Sequence, residues 1–565
     1  MPHTQQEEVS PSDSMNQQQP SSTVVVDKPD QPAINSKTLD FWLIIFALCL
    51  IAFASSLDGS IIAIALPHIS QELAAGDEYV WIANSFVLAQ TVVQPPCAQL
   101  CNIFGRRHPM ILAVVVFALG SAIAGAAKST IVLISGRTVQ GLGSGGILLM
   151  VELIICDIVP LRERPKYLGI VMSVSAIGAI VGPIVGGALA EANWRWMFYL
   201  NLPIAGIVLS VMVVFLRLRH DPVTWSVALS RIDWVGNFIF IASICAVLLG
   251  LIFGGTVYAW SSWKVILPIT LGVIGWALFH LYEGSSLCKE PCVPSRLFHN
   301  RTSMGGFYIV FISSMLLQWV CFFWPVYFQA VRGASPMKAG VDFLPFMCFL
   351  IPGASVAGIA LSKIGRYRRL HVAGFLMSTI GPGLNALLKE RSHKAMWAGF
   401  QMIDAIGRAL LLPTVLPAIL ASLSEADVAS ATGMYSFLRS FGYVWGISVP
   451  GIIFNNRINE ISFSIADPVV RMGLQNGKAY QFASGAQVQS LQPSSRAQVI
   501  DVYLGALKVV WIAAAAVGAS GLFAVAVEKH VPLRLELETQ YGLEEEGAKK
   551  EPALPVSDEP EKEAV

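Results

Sequence analysis

Long apolar segments recur along this chain and leave few folds open to it. A run of about 18 to 25 mostly apolar residues is long enough to cross the hydrocarbon core of a bilayer as a helix. Polar residues and prolines interrupt two of the runs, near 79–101 and 370–388. We expect an all-α integral membrane protein with fourteen transmembrane helices. The fourteen windows lie near 41–63, 79–101, 109–129, 131–156, 167–190, 197–216, 233–254, 265–282, 304–327, 338–361, 370–388, 396–421, 430–453 and 506–527.

Composition supports this class and argues against several others. Hydrophobic residues make up 54% of the chain and charged residues 13%, which is more apolar material than a soluble protein of this size buries. The net charge of +1 gives no reason to expect a nucleic-acid partner. Most of the nine cysteines lie in apolar windows and are expected to be reduced. Cys288 and Cys292 are spaced CxxxC without a second ligand pair, so no metal site is expected.

Basic residues in short loops predict the orientation, because cytoplasmic loops are enriched in Lys and Arg. Under the fourteen-helix count, most loop cations fall on one side, which we take as cytoplasmic. The loop that carries Lys389, Arg391 and Lys394 falls on the opposite side and does not fit this rule. The cations on the cytoplasmic side are Arg106, Arg107, Arg162, Arg164, Lys166, Arg217, Arg219, Arg231, Arg296, Arg301, Lys363, Arg366, Arg368 and Arg369.

An internal repeat indicates duplication. After the second window the chain reads AQLCNIFGRRHP, from Ala98 to Pro109, and after the tenth it reads GIALSKIGRYRR, from Gly358 to Arg369. Arg137 follows a glycine in the fourth window, as Arg408 does in the twelfth. Because these pairs occupy matching positions, we favour two related halves over a chance recurrence of Gly-Arg.

The repeat predicts two bundles of six helices related by an axis normal to the membrane. The seventh and eighth windows belong to neither half and are interpreted as an inserted linker pair. The polar ends of the chain are expected to be disordered cytoplasmic tails. The predicted domains are a tail at 1–40, a first bundle at 41–216, a linker with two extra helices at 217–300, a second bundle at 301–528 with an external loop at 455–505, and a tail at 529–565.

Glycines are regularly spaced in the fifth window. Gly178, Gly182 and Gly186 recur at every fourth position, with Pro183 and Gly187 between and beside them. In a membrane, small residues at this spacing let two helix backbones approach closely, and neighbouring helices satisfy the backbone groups that a proline frees. We therefore expect these three glycines to form one smooth packing face.

Several motifs together match one family. They are GAIVGPIVGG from Gly178 to Gly187, LDGS from Leu57 to Ser60, RTVQGLG from Arg137 to Gly143, WRWMF from Trp194 to Phe198, and GRR at Gly105, Arg106 and Arg107. From about Phe41 to Glu528, the chain resembles the fourteen-span drug:proton antiporters of the major facilitator superfamily, in particular fungal multidrug and toxin efflux pumps. It departs from the family's loop motif at Ala98, Asn102 and Ile103, where that motif has glycine, aspartate and a basic residue.

The resemblance implies a proton-coupled exporter of small amphipathic organic molecules that works by alternating access. It implies no enzymatic activity and no cofactor, a monomer in the lipid bilayer, and the plasma membrane or else the vacuolar membrane. GLGSGG, from Gly141 to Gly146, fits a dinucleotide-binding pattern, but it lies inside a membrane window and follows no strand. Two alternatives stay open: import of a small molecule or metal chelate, and a non-transporting membrane sensor with the same fold.

Two acidic residues in membrane windows are candidates for proton coupling. A carboxylate deep in a membrane costs about 2.5–3.5 kcal/mol on insertion scales, and such residues usually face a pathway. Counting about 1.5 Å per residue places Asp58 and Arg137 at similar depths, so we expect them to pair. The alternative is that Asp58 only caps a helix break beside Gly59. Glu152 lies on about the same helix face as Arg137 and is the second candidate.

The second half supplies further charges and aromatic rings. Asp404 and Arg408 stand four residues apart, so we expect them to neutralise each other. Arg439 has no partner in its own window and must meet an acid from another helix or bind an anionic substrate. Aromatic rings with polar neighbours suit a drug-like molecule, although such rings also pack against lipid or inside proteins. The predicted substrate contacts are Gln140, Trp319, Phe322, Phe323, Arg408 and Arg439.

Gating is predicted to involve the glycine face of the fifth window. In the architecture that the resemblance implies, this window crosses the tenth, which offers Gly353 and Ala357 at the same spacing. Two smooth faces can exclude water on one side of a substrate cavity. We expect Gly182 to meet Gly353 there. Gly105, Arg106 and Arg107 are expected to belong to a cytoplasmic gate.

Overall fold

The computed structural model describes residues 38–73, 79–218, 224–255, 258–475 and 477–534, which are almost entirely helical. The first half of the chain contains α1 (Leu39–Glu72), α2 (Tyr79–Val92), α3 (Gln94–Phe104), α4 (Arg107–Gly125), α5 (Thr130–Ile158), α6 (Arg164–Asn193), α7 (Arg195–Tyr199) and α8 (Asn201–Phe215). A middle region contains α9 (Trp225–Ser230), α10 (Trp234–Phe253) and α11 (Trp263–Glu283). Of the predicted tails at 1–40 and 529–565, residues 1–37 and 535–565 lie outside the described residues.

The second half has the longer connections. It contains α12 (Arg301–Val326), α13 (Pro336–Ile364), α14 (Tyr367–Asn385), α15 (Lys394–Leu411), α16 (Val415–Ala421), α17 (Val428–Ile461), α18 (Pro468–Leu474), α19 (Ala479–Phe482), α20 (Gly485–Gln489) and α21 (Pro493–Val527). A π-helical turn, Tyr327–Val331, extends α12. The short helices α18 to α20 form the loop before the last long helix.

Within the described part of the chain, twelve helical segments are long and apolar enough to cross a membrane. The two interrupted windows, near 79–101 and 370–388, are also helical, but neither meets that criterion. The first is divided into α2 and α3 at Val93, because Pro95 and Pro96 lack the N–H groups that a continuous helix needs. The second, α14, begins with several basic residues. The all-helical membrane fold is therefore confirmed, and the count of fourteen spans stays a prediction.

Glycines set the distance between the central helices of the first half. A Cβ atom at Gly143 of α5 would lie 2.3 Å from the backbone nitrogen of Phe117 in α4. On another side of α5, a Cβ atom at Gly145 would lie 2.3 Å from the carbonyl oxygen of Gln90 in α2. The glycines of the GLGSGG stretch therefore serve helix packing, as expected from their place inside a membrane window.

The middle pair, α10 and α11, packs together beside both halves. Phe240 of α10 lies 5.1 Å from Phe437 of α17, measured between ring centroids. Trp81 of α2 lies 5.1 Å from Phe253 of α10. The pair thus contacts helices of both halves.

We predict that Gly143→Ala destabilises the protein. The added methyl group has no room against α4, and overpacking of this kind costs about 1–3 kcal/mol. Gly206→Ala is the matched control, because nothing lies within 4 Å of a Cβ atom at this exposed position of α8. Thermal unfolding of the two variants in detergent should give a lower midpoint for Gly143→Ala only. Equal midpoints would contradict the close contact of α4 and α5.

Candidate functional site

Asp58 of α1 lies at the centre of a buried polar network in the first half. Arg137 of α5 forms an ion pair with its carboxylate, at 2.5 Å between Nη1 and Oδ2. The side-chain amides of Gln140 and Asn201 each donate a hydrogen bond of 2.8 Å to Oδ1. Ser121 of α4 accepts a bond from Gln140 as well. The predicted contact of Asp58 with Arg137 is confirmed, and three side chains donate to the carboxylate.

The guanidinium of Arg137 has further partners. It donates to the side-chain oxygen of Gln140 at 2.8 Å, and its central carbon lies 4.2 Å from the ring centroid of Phe86. Among the described residues, Nε and Nη2 of Arg137 find no hydrogen-bond partner. Gln140, predicted to contact substrate, is therefore a fully buried member of this network. Ser121 and Asn201 were not predicted as site residues; Asn201 stands in the sequence as a lone amide at the start of an apolar window.

Glu152 of α5 connects the two halves. Its carboxylate forms an ion pair with Arg439 and accepts a 2.5 Å hydrogen bond from the hydroxyl of Ser436, both on α17. The partner of Arg439 is thus an acid from another helix, one of the two alternatives open from the sequence. Glu152 lies fifteen residues beyond Arg137, which is about 22 Å along a helix, so the two residues belong to separate clusters.

The end of the bundle that carries most of the loop cations, here called the basic end, holds the two halves together. The hydroxyl of Ser173 in α6 lies 2.9 Å from that of Ser355 in α13, and it donates to the carbonyl oxygen of Ile351. A Cβ atom at Gly358 would lie 2.1 Å from the carbonyl oxygen of Pro165. Arg162 donates to the carbonyl oxygens at the end of α13. These contacts close the basic end.

One predicted contact is wrong in this conformation. The fifth and tenth windows do pack together, but Gly182 faces α1, where its Cβ atom would lie 1.9 Å from the hydroxyl of Ser60. Gly353 faces Ala409 within its own half. The spacing identified smooth faces correctly but did not identify their partners, because α6 has small residues along more than one side. Gly178 and Gly186 face α1 as well. The surroundings of Pro183 and Gly187 lie outside what the structure describes.

Residues of the altered loop motif make polar contacts with both halves. Gly105 has φ of 73°, a conformation that favours glycine, and it forms the turn from α3 to α4. Arg106 forms an ion pair with Asp157 at 2.8 Å, and Arg107 donates to the carbonyl oxygen of Val213. Asn102 donates to the hydroxyl of Ser430 near the start of α17, at 3.4 Å. Amide and hydroxyl thus connect the two halves here without a net charge.

The predicted aromatic contacts lie in the second half. Trp319 and Phe323 are fully buried, and Phe323 packs on Phe454 of α17 with centroids 5.4 Å apart. Phe322 is half-buried and stacks on Tyr480, in the loop before α21, with ring centroids 4.4 Å apart. Tyr480 was not predicted, since its stretch carries no motif. Of these rings, Phe322 has the surface that a substrate could reach.

No metal site is found among the described residues, where no group of three or more His, Cys, Asp or Glu side chains could hold an ion. The thiol of Cys288 donates to the carboxylate of Asp233 at 3.4 Å, while Glu283 accepts the backbone N–H groups of Cys292 and Val293. Burial, followed by the charge of Asp233, raises the pKa of Cys288 to about 12. This thiol is therefore a neutral donor rather than a thiolate ligand.

Comparisons with known proteins identify the family. The sequence profile of the Major Facilitator Superfamily matches residues 48–447. The chain is 47% identical over 528 residues to the MFS efflux transporter aclA of Aspergillus oryzae, covering 93% of this chain and 96% of the relative. It is 45% identical over 525 residues to the MFS-type efflux pump LUC4 of a Fusarium species, covering 92% and 93%. The chain belongs to the major facilitator superfamily.

A solved structure supports the fold. The proton:xylose symporter XylE aligns with a TM-score of 0.54 over 87% of this chain and 98% of its own, at 14% identity. This similarity concerns the fold alone. The family nevertheless makes the chain a membrane transporter.

We predict that cysteines at Ser173 and Ser355 crosslink the two halves. The hydroxyls are 2.9 Å apart, and a disulfide needs closely facing side chains of this kind. Crosslinking would be measured by joining of the halves after proteolysis at a site engineered between α8 and α9. The single variants control for the native cysteines. Reduction should restore any transport that the crosslink blocks, whereas no crosslink under any condition would contradict the closed basic end.

Proposed function

We propose that this transporter is a proton-coupled exporter of small amphipathic organic molecules that works by alternating access. The observation that carries the proposal is the ion pair of Glu152 and Arg439, because it connects the two halves through a group that a proton can neutralise. The names of the relatives support the direction of transport. The coupling and the antiport are inferred from this chain's own charges.

The orientation follows from the loop cations. If the basic end is cytoplasmic, both termini are inside and the loop at 455–505 is outside. The contacts of Ser173, Gly358 and Arg162 then prevent access from the cytoplasm. This conformation corresponds to the state in which an exporter releases its substrate and receives a proton from outside.

The Glu152 pair supplies a way to use that proton. A proton from the outer water neutralises the carboxylate and removes its attraction for Arg439. Loss of one partner of a buried pair costs about 3–5 kcal/mol, which favours separation of the halves at the basic end. The proton then leaves to the cytoplasm, and substrate binds from that side. Substrate binding and re-formation of the pair return the closed state, so that proton entry is coupled to substrate exit.

Asp58 is proposed as a second proton site, within the first half. Its network with Arg137, Gln140 and Asn201 connects α1, α5 and α8, so that a change of charge alters the packing of three helices. Because this network lies within one half, whereas Glu152 pairs with a helix of the other half, we assign the opening step to Glu152. Arg137 is the counter-ion of Asp58.

The substrate is proposed to bind between the halves. Phe322 is the first candidate for contact because part of its ring is exposed. Trp319, Phe323 and Gln140 are buried in this conformation. They would shape the wall of the binding site, or would contact the substrate only after the helices rearrange. Arg439, when released from Glu152, would offer a cation to a polar or anionic group.

The alternative of a non-transporting sensor depends on the altered loop motif, because a gate that cannot close would not support transport. Since Asn102 and Arg106 still contact Ser430 and Asp157, the gate can close without the missing aspartate, and transport is the better-supported function. Import of a chelate has no observation in its favour. We further propose that the transporter acts as a monomer in the plasma membrane.

We predict that Glu152→Gln uncouples transport. The neutral side chain cannot exchange a proton, so uptake of ethidium into inverted vesicles should lose its dependence on an inward-acid pH gradient. Exchange of ethidium across the membrane should persist, since the substrate path is unchanged. Asp467→Asn, in the external loop, is the control for loss of a carboxylate. Retained dependence on the gradient would remove Glu152 from the coupling step.

We predict that Asp58→Asn abolishes gradient-driven uptake. The variant should reach the membrane but fail in gradient-driven uptake, because Arg137 keeps its charge in a fully buried site. Quantification of protein in the vesicles by immunoblotting gives the required control. If neither Asp58→Asn nor Glu152→Gln reduces pH-dependent uptake, the coupling proposal is wrong. If wild-type vesicles move ethidium equally with and without a gradient, proton antiport itself is contradicted.

A further inference from the structure

A third buried ion pair lies in the second half, and it is less well satisfied than the other two. Asp404 and Arg408 stand one turn apart on α15, with Nη2 and Oδ1 2.9 Å apart and both side chains buried. The two groups form an ion pair, but their relative orientation does not allow a hydrogen bond. Among the described residues, both carboxylate oxygens of Asp404 and all three guanidinium nitrogens of Arg408 are without a hydrogen-bond partner.

The other pairs provide the comparison. Asp58 accepts hydrogen bonds from Arg137, Gln140 and Asn201. Glu152 accepts from Arg439 and Ser436. Hydrogen bonds to a carboxylate favour its charged form, and burial without them favours the protonated form. Of the three carboxylates, Asp404 has the fewest groups that replace water around its charge.

Close packing explains why no further donor reaches Asp404. A Cβ atom at Gly381 of α14 would lie 2.6 Å from the Cβ atom of Asp404. One turn along, Gly407 packs against the α14 backbone, where its Cβ atom would lie 2.7 Å from the nitrogen of Ser378. From α12, Cys321 is the titratable residue near the pair. On α13, Gly353 packs on Ala409, next to Arg408, and the backbone oxygen of Asp342 accepts a hydrogen bond from Gln401, three residues before Asp404.

The position of the pair within the repeat adds a second argument. Arg408 occupies the place in the second half that Arg137 occupies in the first. Arg137 meets an acid from a different helix, α1, and two amides complete its site. Arg408 instead meets an acid from its own helix, and no side-chain amide of the described residues hydrogen-bonds to it. An ionisable residue inside a membrane protein is retained at a cost of about 2.5–3.5 kcal/mol, which is expected where it serves transport.

We propose that Asp404 binds and releases a proton during the transport cycle, with Arg408 as its counter-ion. This inference rests on the proposed proton coupling and adds a site in the second half to the two proposed earlier. A proton from the outer water binds one carboxylate oxygen, and the same proton later leaves to water at the basic end. One O–H bond forms and breaks, and Arg408 stays charged throughout.

Infrared difference spectroscopy tests the proton exchange directly and needs no substrate. Full-length protein in liposomes should give a carbonyl-stretch signal from protonated carboxyl groups when the pH is lowered. Asp404→Asn should lose part of that signal. The control is Asp501→Asn, at an exposed carboxylate of α21. It should lose only a signal that shifts immediately in D2O, because an exposed carboxyl group exchanges its hydrogen with the solvent at once. Asp404→Glu should shift the band, which identifies the residue even if the asparagine variant folds poorly.

Transport assays test its role. In inverted vesicles, Asp404→Asn should reduce gradient-driven ethidium uptake by about tenfold or more, within the usual range of coupling energies, while ethidium exchange persists. Asp404→Glu should restore much of the gradient-driven uptake, and Asp501→Asn should behave as wild type. A purely structural role would lower uptake and exchange together.

Two results would overturn the inference: an unchanged infrared signal in Asp404→Asn, or equal loss of uptake and exchange. Failure of the wider proposal is distinguishable from both. If wild-type uptake of ethidium ignores the pH gradient, the proposed antiport is wrong, whatever the variants do. An infrared signal that is lost in Asp404→Asn would then still assign proton binding to this carboxylate, without a role in driving transport.

Discussion

The need to neutralise charge inside an apolar bundle governs this structure. Water is excluded from the helix packing, so each buried carboxylate requires a cation or donors nearby. Asp58, Glu152 and Asp404 meet this need in three ways: within one half, between halves, and within one helix. The location of each partner decides what a proton would change. Only the Glu152 pair would act directly on the contact between the halves.

Close packing of backbones makes such pairing possible. Glycines of α5 and α4 bring these two helices so near that Gln140 reaches Ser121 across a short gap. At the basic end, Gly358 lets α13 contact the start of α6. The same absence of side chains that permits these contacts also leaves surfaces that can slide or separate without breaking interlocked side chains. Small residues therefore serve both the rigid core of the first half and the junction that must open.

The closed basic end depends on weak contacts in addition to the ion pair. Serine hydroxyls, an asparagine amide and helix-terminal carbonyls connect the halves there. Each contributes about 0.5–1.5 kcal/mol at most, so their sum can be balanced by substrate binding or by a proton.

Local patterns in the sequence determined the membrane class, most helices, the Asp404–Arg408 pair and the contact of Asp58 with Arg137. Apolar length and helical rise are properties of short segments, so they can be counted along the chain. The partner of Arg439, the amide of Asn201 beside Asp58 and the true neighbours of Gly182 were decided by tertiary structure alone. Each depends on how helices distant in sequence rotate against one another, and a smooth or charged helix face does not specify which other helix it will meet.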